Sequence, residues 1–402
     1  MANKLFSLSS NLKTGFPEGY NYIVTPNAQK VADSIIDGYR SGVHSYTLIG
    51  TYGTGKSSFL IALKEDLKKQ GKHKLLKSTK AFNDSGAFET IDIIGDYKSL
   101  DTLMSEELEC VGDEEHIIDH LRSYYNEVKS KGKFLVIFID EFGKVLEHAA
   151  KKNPEGEMYF MQKLAEFINV PTRHVLLITT LHQNFNAYAK GLNQEQRNEW
   201  NKVKGRFREI VFVEPVEQLL YLASKQYTSG KPIANEHHFK KLYTLAEKTH
   251  FISQAYSLDT ARSLYPLDPF AASAITEAIQ RYGQNERSLF SFLNARGENS
   301  LREFEPGRNL TYNLQEVYDY VVYNFYSYLK DANADSMNWN AMQMAIERVE
   351  GAVWDNEQDL LDAIKIVKAI GLLNILGSAV FSMSEEELAT YATYAMGVEC
   401  MR

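Results

Sequence analysis

Eight residues, GTYGTGKS at 50–57, constrain this chain more than any other stretch of it. They fit G-x-x-x-x-G-K-[ST], with Gly50, Gly55, Lys56 and Ser57 at the fixed positions. Ahead of them SYTLI (45–49) is β-branched and aromatic enough for a buried strand, and behind them Phe59, Leu60, Leu63 and Leu67 recur at helical spacing. A strand, a glycine-rich loop and a helix in that order make a cradle for phosphate. The glycines let backbone N–H groups turn inward, and the helix adds its positive N-terminal end. The expected phosphate-binding set is Gly50, Thr51, Tyr52, Gly53, Thr54, Gly55, Lys56, Ser57 and Ser58. Lys56 is expected to neutralise the β and γ phosphates of a nucleoside triphosphate, and Ser57 to ligate Mg²⁺.

A second signal answers the first. KFLVIFIDEFGK (133–144) is a continuous apolar run that ends in Asp140-Glu141, as a fully buried parallel strand does on reaching the ligand edge of its sheet. Asp140 there is suited to hold the water shell of Mg²⁺, and Glu141 to polarise an attacking water as general base. HVLLITT (174–180) reads as a third buried strand, and it runs into LHQNF. His182 or Gln183 would then lie beside the γ-phosphate, and the sequence leaves the choice between them open.

With these pieces in order the chain resembles the AAA+ ATPases, in the branch shared by origin-recognition-type and STAND-type members. GTYGTGKS, the strand ending in Asp-Glu and the polar strand end at LHQ are similar to that family's Walker A, Walker B and sensor 1. The resemblance implies two further roles. WNKVKGRFREIVF (200–212) is similar to the arginine-finger turn, with Arg206 in the finger role across a subunit boundary and Arg208 as the alternative. YGQNERSLFSFL (282–293) is similar to the G-x-x-x-R pattern of sensor 2 in a helical lid, with Gly283 and Arg287 at the matching positions. It implies ATP and Mg²⁺ as cofactors, a homo-oligomer, and an effector protein or nucleic acid as the partner. IDEFGKVLEHAA, TLHQNF, EWNKVKGRF and QNERSLFSFL also resemble prokaryotic AAA+ proteins of anti-phage defence. The family's adenine-contact stretch would fall at 21–29, NYIVTPNAQ, which carries no distinctive motif.

The remaining chain organises around this core. Strands alternating with amphipathic helices such as EEHIIDHLRSYYNEV (114–128) argue for an α/β fold with a parallel sheet covered on both faces. After Pro215 the strand signals stop, and 218–227, 237–248 and 269–293 carry helical patterning. The expected domains are an ATPase core at 1–216, a helical lid at 217–305 and a winged-helix-like region at 306–402, this last cut before a second wing and hence part of a longer protein. In that region VYDYVVYNFYSYL (317–329) reads as a packed helix core in preference to a base-stacking surface. Ser384 with Glu387 forms a capping box that starts a last helix. Lys365 and Lys368 are a thin basis for DNA binding, and a net charge of −8 argues against a general polyanion-binding surface.

Several classes are excluded. The longest apolar run, 134–139, is too short to span a bilayer, and the N-terminus lacks a signal-peptide core, so a cytosolic protein is expected. Cys110 and Cys400 have no metal spacing, and no Gly-x-Ser-x-Gly elbow or Cys/His hydrolase pattern occurs.

Overall fold

The computed structural model describes residues 11–398 except 21, 70–71, 79, 81, 83–85, 228–230, 284–287, 298, 306–310 and 332–333. The chain forms two compact units, Met1–Val213 and Glu214–Arg402.

The first unit is α/β. Its elements run α1 (Pro26–Arg40), β1 (Ser45–Ile49), α2 (Lys56–Lys69), β2 (Phe88–Ile94), α3 (Leu100–Glu107), α4 (Glu114–Ser130), β3 (Phe134–Asp140), α5 (Phe142–Lys152), α6 (Pro154–Ile168), β4 (Val175–Leu181), α7 (Gln194–Lys204) and β5 (Arg208–Val211). Among the described residues the five strands are all parallel, in the order β2-β3-β4-β1-β5, the order of an AAA+ core. Strands β3 and β4 are buried at every position, which is why both read as unbroken apolar runs. One apolar cluster under the sheet takes Leu135, Ile137 and Ile139, and the opposite one takes Phe134, Val136 and Phe138. The period of two along β3 therefore fills both faces. Because β1, β3 and β4 run in one direction, their C-terminal ends meet at one edge, and that edge carries 50–57, Asp140-Glu141 and His182.

The second unit is helical among its described residues: α8 (Val216–Gln226), α9 (Glu236–Lys248), α10 (Leu258–Ser263), α11 (Pro269–Tyr282), α12 (Leu289–Asn294), α13 (Leu314–Asp331), α14 (Ser336–Glu350), α15 (Glu357–Leu376) and α16 (Glu385–Met396). The helical pattern at 269–293 is broken at Gly283, where the carbonyl of Ile279 takes the last helical hydrogen bond of α11. Helices from both expected lid and expected C-terminal region bury side chains in one cluster, Phe270 and Ile275 together with Val317, Val321, Leu372 and Tyr391. Asp268 pins that cluster. Fully buried at the N-cap of α11, it accepts from the Ala271 N–H (2.8 Å), the Tyr391 hydroxyl (3.0 Å) and the Thr311 hydroxyl (3.2 Å). Burial pushes its pKa up to about 7 despite those hydrogen bonds.

The packed-core reading of 317–329 holds, since Val317, Val321, Phe325 and Leu329 are buried. The capping box at Ser384 and Glu387 forms. Helices α15 and α16 supply a helix, a turn and a helix, with no strand beside them among the described residues. Lys365 and Lys368 lie against Asp362 and Asp319, so neither presents a free charge to a phosphate backbone. No helix among the described residues is long and apolar enough to cross a membrane.

Candidate active site

The glycine-rich loop is built as its sequence requires. Gly53 and Gly55 have φ of +74° and +91°, where a side chain would be strained. Gly50 is fixed for another reason: a Cβ there would lie 2.1 Å from the carbonyl oxygen of Phe212. Lys56 opens α2, with Ser57 and Ser58 half-buried behind it. Its side chain is only 5 % exposed, and the ammonium donates to the carbonyls of Gly50 (2.5 Å) and Thr51 (2.8 Å). Burial lowers its pKa to about 8, against the opposing pull of Asp140 and Glu141. Thr54 donates its hydroxyl to the Thr51 carbonyl (2.9 Å), closing the loop on itself.

The carboxylate pair sits where β3 ends. Asp140 is buried, and its Oδ1 accepts the Thr180 hydroxyl at 2.6 Å and the Glu141 backbone N–H at 3.0 Å. The same N–H reaches Thr180 Oγ1 at 2.9 Å. These three contacts hold Glu141 in the left-handed region at φ +54°, uncommon for a residue with a side chain. Gly95, following β2, makes the turn possible: its N–H donates to the Asp140 carbonyl (2.7 Å), and a Cβ there would lie 2.2 Å from the Glu141 carbonyl oxygen. The Glu141 carboxylate forms an ion pair with Lys144, one turn along α5, and that pairing raises the lysine's pKa.

His182 and Gln183 part company. Gln183 is exposed, whereas the His182 ring stacks on Tyr52 of the phosphate loop with centroids 3.4 Å apart and planes 19° apart. Both ring nitrogens are buried, and neither finds a hydrogen-bond partner among the described residues. Burial, with Lys56 and Lys144 nearby, lowers the His182 pKa to about 3, so the ring is a neutral imidazole. The turn that carries it is fixed from below, where the buried Trp200 indole donates to the Phe185 carbonyl (3.0 Å).

Arg206 and Arg208 lie elsewhere in the first unit. Register pairs Tyr46 with Arg208 and Ile49 with Val211, so Arg206 precedes the strand end opposite the phosphate loop, roughly 13 Å or more of strand away. Its guanidinium pairs with Glu166 at 2.6 Å. Arg208 lies along α1, close enough that a Cβ on Gly38 would be 2.8 Å from its Nη1. Arg287 lies outside the described residues, and Gly283 caps α11. Tyr22, in the expected adenine-contact stretch, stacks on Phe16 (5.8 Å) and meets the His73 ring edge-on (5.9 Å), while Thr25 caps α1. Asn21 is outside the described residues.

Thr180, Gly95 and Lys144 were not singled out by the sequence. Thr180 carried the one available signal, as the second of two adjacent β-branched hydroxyls near the end of an otherwise apolar strand.

No family model matches the chain, and no curated protein does. Among solved structures it is similar to the Aeropyrum pernix ORC2 protein in ADPNP–ADP complexes, at 11 % identity and a TM-score of 0.37 over 95 % of this chain and 88 % of that one. The ADP form of the same protein gives 12 % and 0.38, over 96 % and 90 %. Drosophila ORC bound to AT-rich DNA and Cdc6 gives 12 % and 0.31, over 93 % and 79 %. The fold assignment stands on the strand order and the residues at its C-terminal edge.

Proposed function

We propose that the chain binds ATP with Mg²⁺, hydrolyses it at an active site completed by a neighbouring copy, and acts as a switch or motor on a partner. The observation that carries this reading is the convergence of Lys56, Asp140, Glu141, Thr180 and His182 at one sheet edge behind a loop with two left-handed glycines. The donor set suits the nucleotide. Lys56 is a desolvated cation held on loop carbonyls that a phosphate oxygen would replace. Loop N–H groups and the α2 N-terminus supply the rest of an anion cradle. Mg²⁺ would fall to the Ser57 hydroxyl and, through water, to Asp140, whose Oδ1 is occupied by hydrogen bonds while Oδ2 takes none among the described residues. When bound, the ion supplies charge neutralisation on the β and γ phosphates.

Glu141 then serves as base, drawing the proton from a water aimed at the γ-phosphorus once it leaves Lys144. Neutral His182 offers a ring N–H to a γ-phosphate oxygen when the Tyr52 stack opens. Arg206 cannot serve its own loop, being at the far strand end, and is suited to a neighbour's. Arg287 is the lid's candidate contact by resemblance. The placement in anti-phage defence rests on the sequence resemblance alone.

Binding is tested by titrating a fluorescent ATP analogue with and without Mg²⁺ against the wild type and Lys56→Ala. The reading expects saturable, Mg²⁺-enhanced binding that Lys56→Ala weakens at least tenfold. Equal binding by both proteins overturns it.

A further inference from the structure

The α14–α15 hairpin ends in an apolar tip that the fold leaves open. Val353 is fully exposed, Leu361 is 46 % exposed and Trp354 is 36 % exposed, all within nine residues of chain. Leu360 and Ile364, on the first turns of α15, are only partly buried. A helix that is apolar around its circumference is normally enclosed on all sides. Helix α15 begins EQDLLDAIKIV, and along its N-terminal half, 357–368, no residue is fully buried. The tip is nonetheless ordered: Asn356 caps α15 by accepting from the Asp359 N–H, and the Trp354 indole donates to the Val349 carbonyl at 2.8 Å, laying the ring over the end of α14. A fixed, part-exposed tryptophan next in sequence to a fully exposed valine, with a half-exposed leucine on the following helix, is the composition of an interface centre.

Its rim has one sign. Between 347 and 362 the sequence carries Glu347, Glu350, Asp355, Glu357, Asp359 and Asp362 against a single Arg348. The next cation, Lys365, lies against Asp362. An apolar centre within a carboxylate rim selects a ligand that is apolar in the middle and cationic at its edges. We infer that the α14–α15 tip docks a basic amphipathic helix of a partner protein, its apolar stripe on Val353, Trp354 and Leu361 and its lysines or arginines on the rim. Nucleic acid is disfavoured by the same charges, since each phosphate would approach a stretch of net negative charge. The inference is independent of the nucleotide site.

Trp354 gives the readout, because Trp200 and Trp339 are buried. The full chain is titrated at 150 mM salt with a synthetic 18-residue Leu/Lys amphipathic helix, a scrambled peptide of the same composition, a Leu/Glu amphipathic helix, and a DNA duplex. The expected result is a saturable blue shift of emission with the Leu/Lys helix, absent in Trp354→Phe, and binding at least tenfold weaker in Val353→Glu and Leu361→Glu. Those two positions are exposed, so unchanged melting points verify that the variants fold. Three outcomes overturn the inference: no shift with the Leu/Lys helix, scrambled or acidic peptide binding as tightly, or DNA binding that outcompetes the peptide.

Discussion

The Thr180 hydroxyl donates to Asp140 Oδ1 at 2.6 Å while its oxygen lies 2.9 Å from the Glu141 backbone N–H, so one side chain of β4 fixes both the last residue of β3 and the carboxylate residue that follows it. Thr180→Val keeps the shape and removes both contacts. Because they are buried, the expected loss is about 1–3 kcal/mol of stability, with a larger proportional loss of ATP turnover as Asp140 and Glu141 lose their shared anchor. Thr180→Ser retains the hydroxyl and is expected to recover most of the turnover. Chemical denaturation together with steady-state kinetics on the three proteins checks this.

Gly95 is predicted to be intolerant of even one methyl group. Its Cβ would meet the backbone oxygen of Glu141, which cannot swing aside as a side chain can. Gly95→Ala is expected to cost more than about 1 kcal/mol and to depress turnover by displacing Glu141. Gly191→Ala, where a Cβ meets nothing within 4 Å, should stay within about 0.5 kcal/mol of wild type. Paired denaturant melts decide between these expectations.

ATP affinity should fall as pH rises above about 8. In the free protein Lys56 has its pKa lowered to about 8 by burial, so above that pH the cation is progressively lost. Bound phosphate favours the charged form and must draw a proton back, at a cost approaching a factor of ten per pH unit. Calorimetric titration in buffers of different ionisation enthalpy should show proton uptake on binding at pH 9 and little at pH 7. Equal affinities at pH 7 and 9 would contradict the assignment.

Asp268 predicts a pH dependence of the second unit's stability. Its carboxyl has an ordinary value of 3.8, raised to about 7 in the fold by burial. The folded state therefore holds a proton that the unfolded chain releases. Its stabilising contribution is full below about 4 and is lost as pH rises through about 7. Asp268→Asn keeps a capping oxygen for the Ala271 N–H and cannot titrate, so this slope should flatten. Thermal melts of both proteins from pH 4 to 8 test the prediction.

The sheet and the phosphate loop were legible because their information is local. Buried parallel strands read as continuous apolar runs, and the loop has fixed residues at fixed spacing. Thr180 was not legible, because its role depends on a register between strands 40 residues apart, with Ile139 opposite Thr179. Gly95 was silent for the same reason, its neighbour being the backbone of a different strand. Gln183 and His182 looked alike in sequence, and only packing on Tyr52 separates them. The division of the helical half into two parts was suggested by turn residues near 304–313. Helices on both sides of that stretch bury side chains in one cluster, where Asp268 before α11 accepts from the Tyr391 hydroxyl of α16.

The central claim is an active site shared between copies, with Glu141 contributed by one and Arg206 by the next. ATP turnover is measured for Glu141→Gln alone, Arg206→Ala alone, and the two mixed in equal amounts. A shared site gives near-background rates for each variant by itself. It gives partial recovery on mixing, because some interfaces then pair an intact Glu141 with an intact Arg206. A mixture no more active than its components, or an Arg206→Ala protein as active as wild type at every concentration, would contradict it.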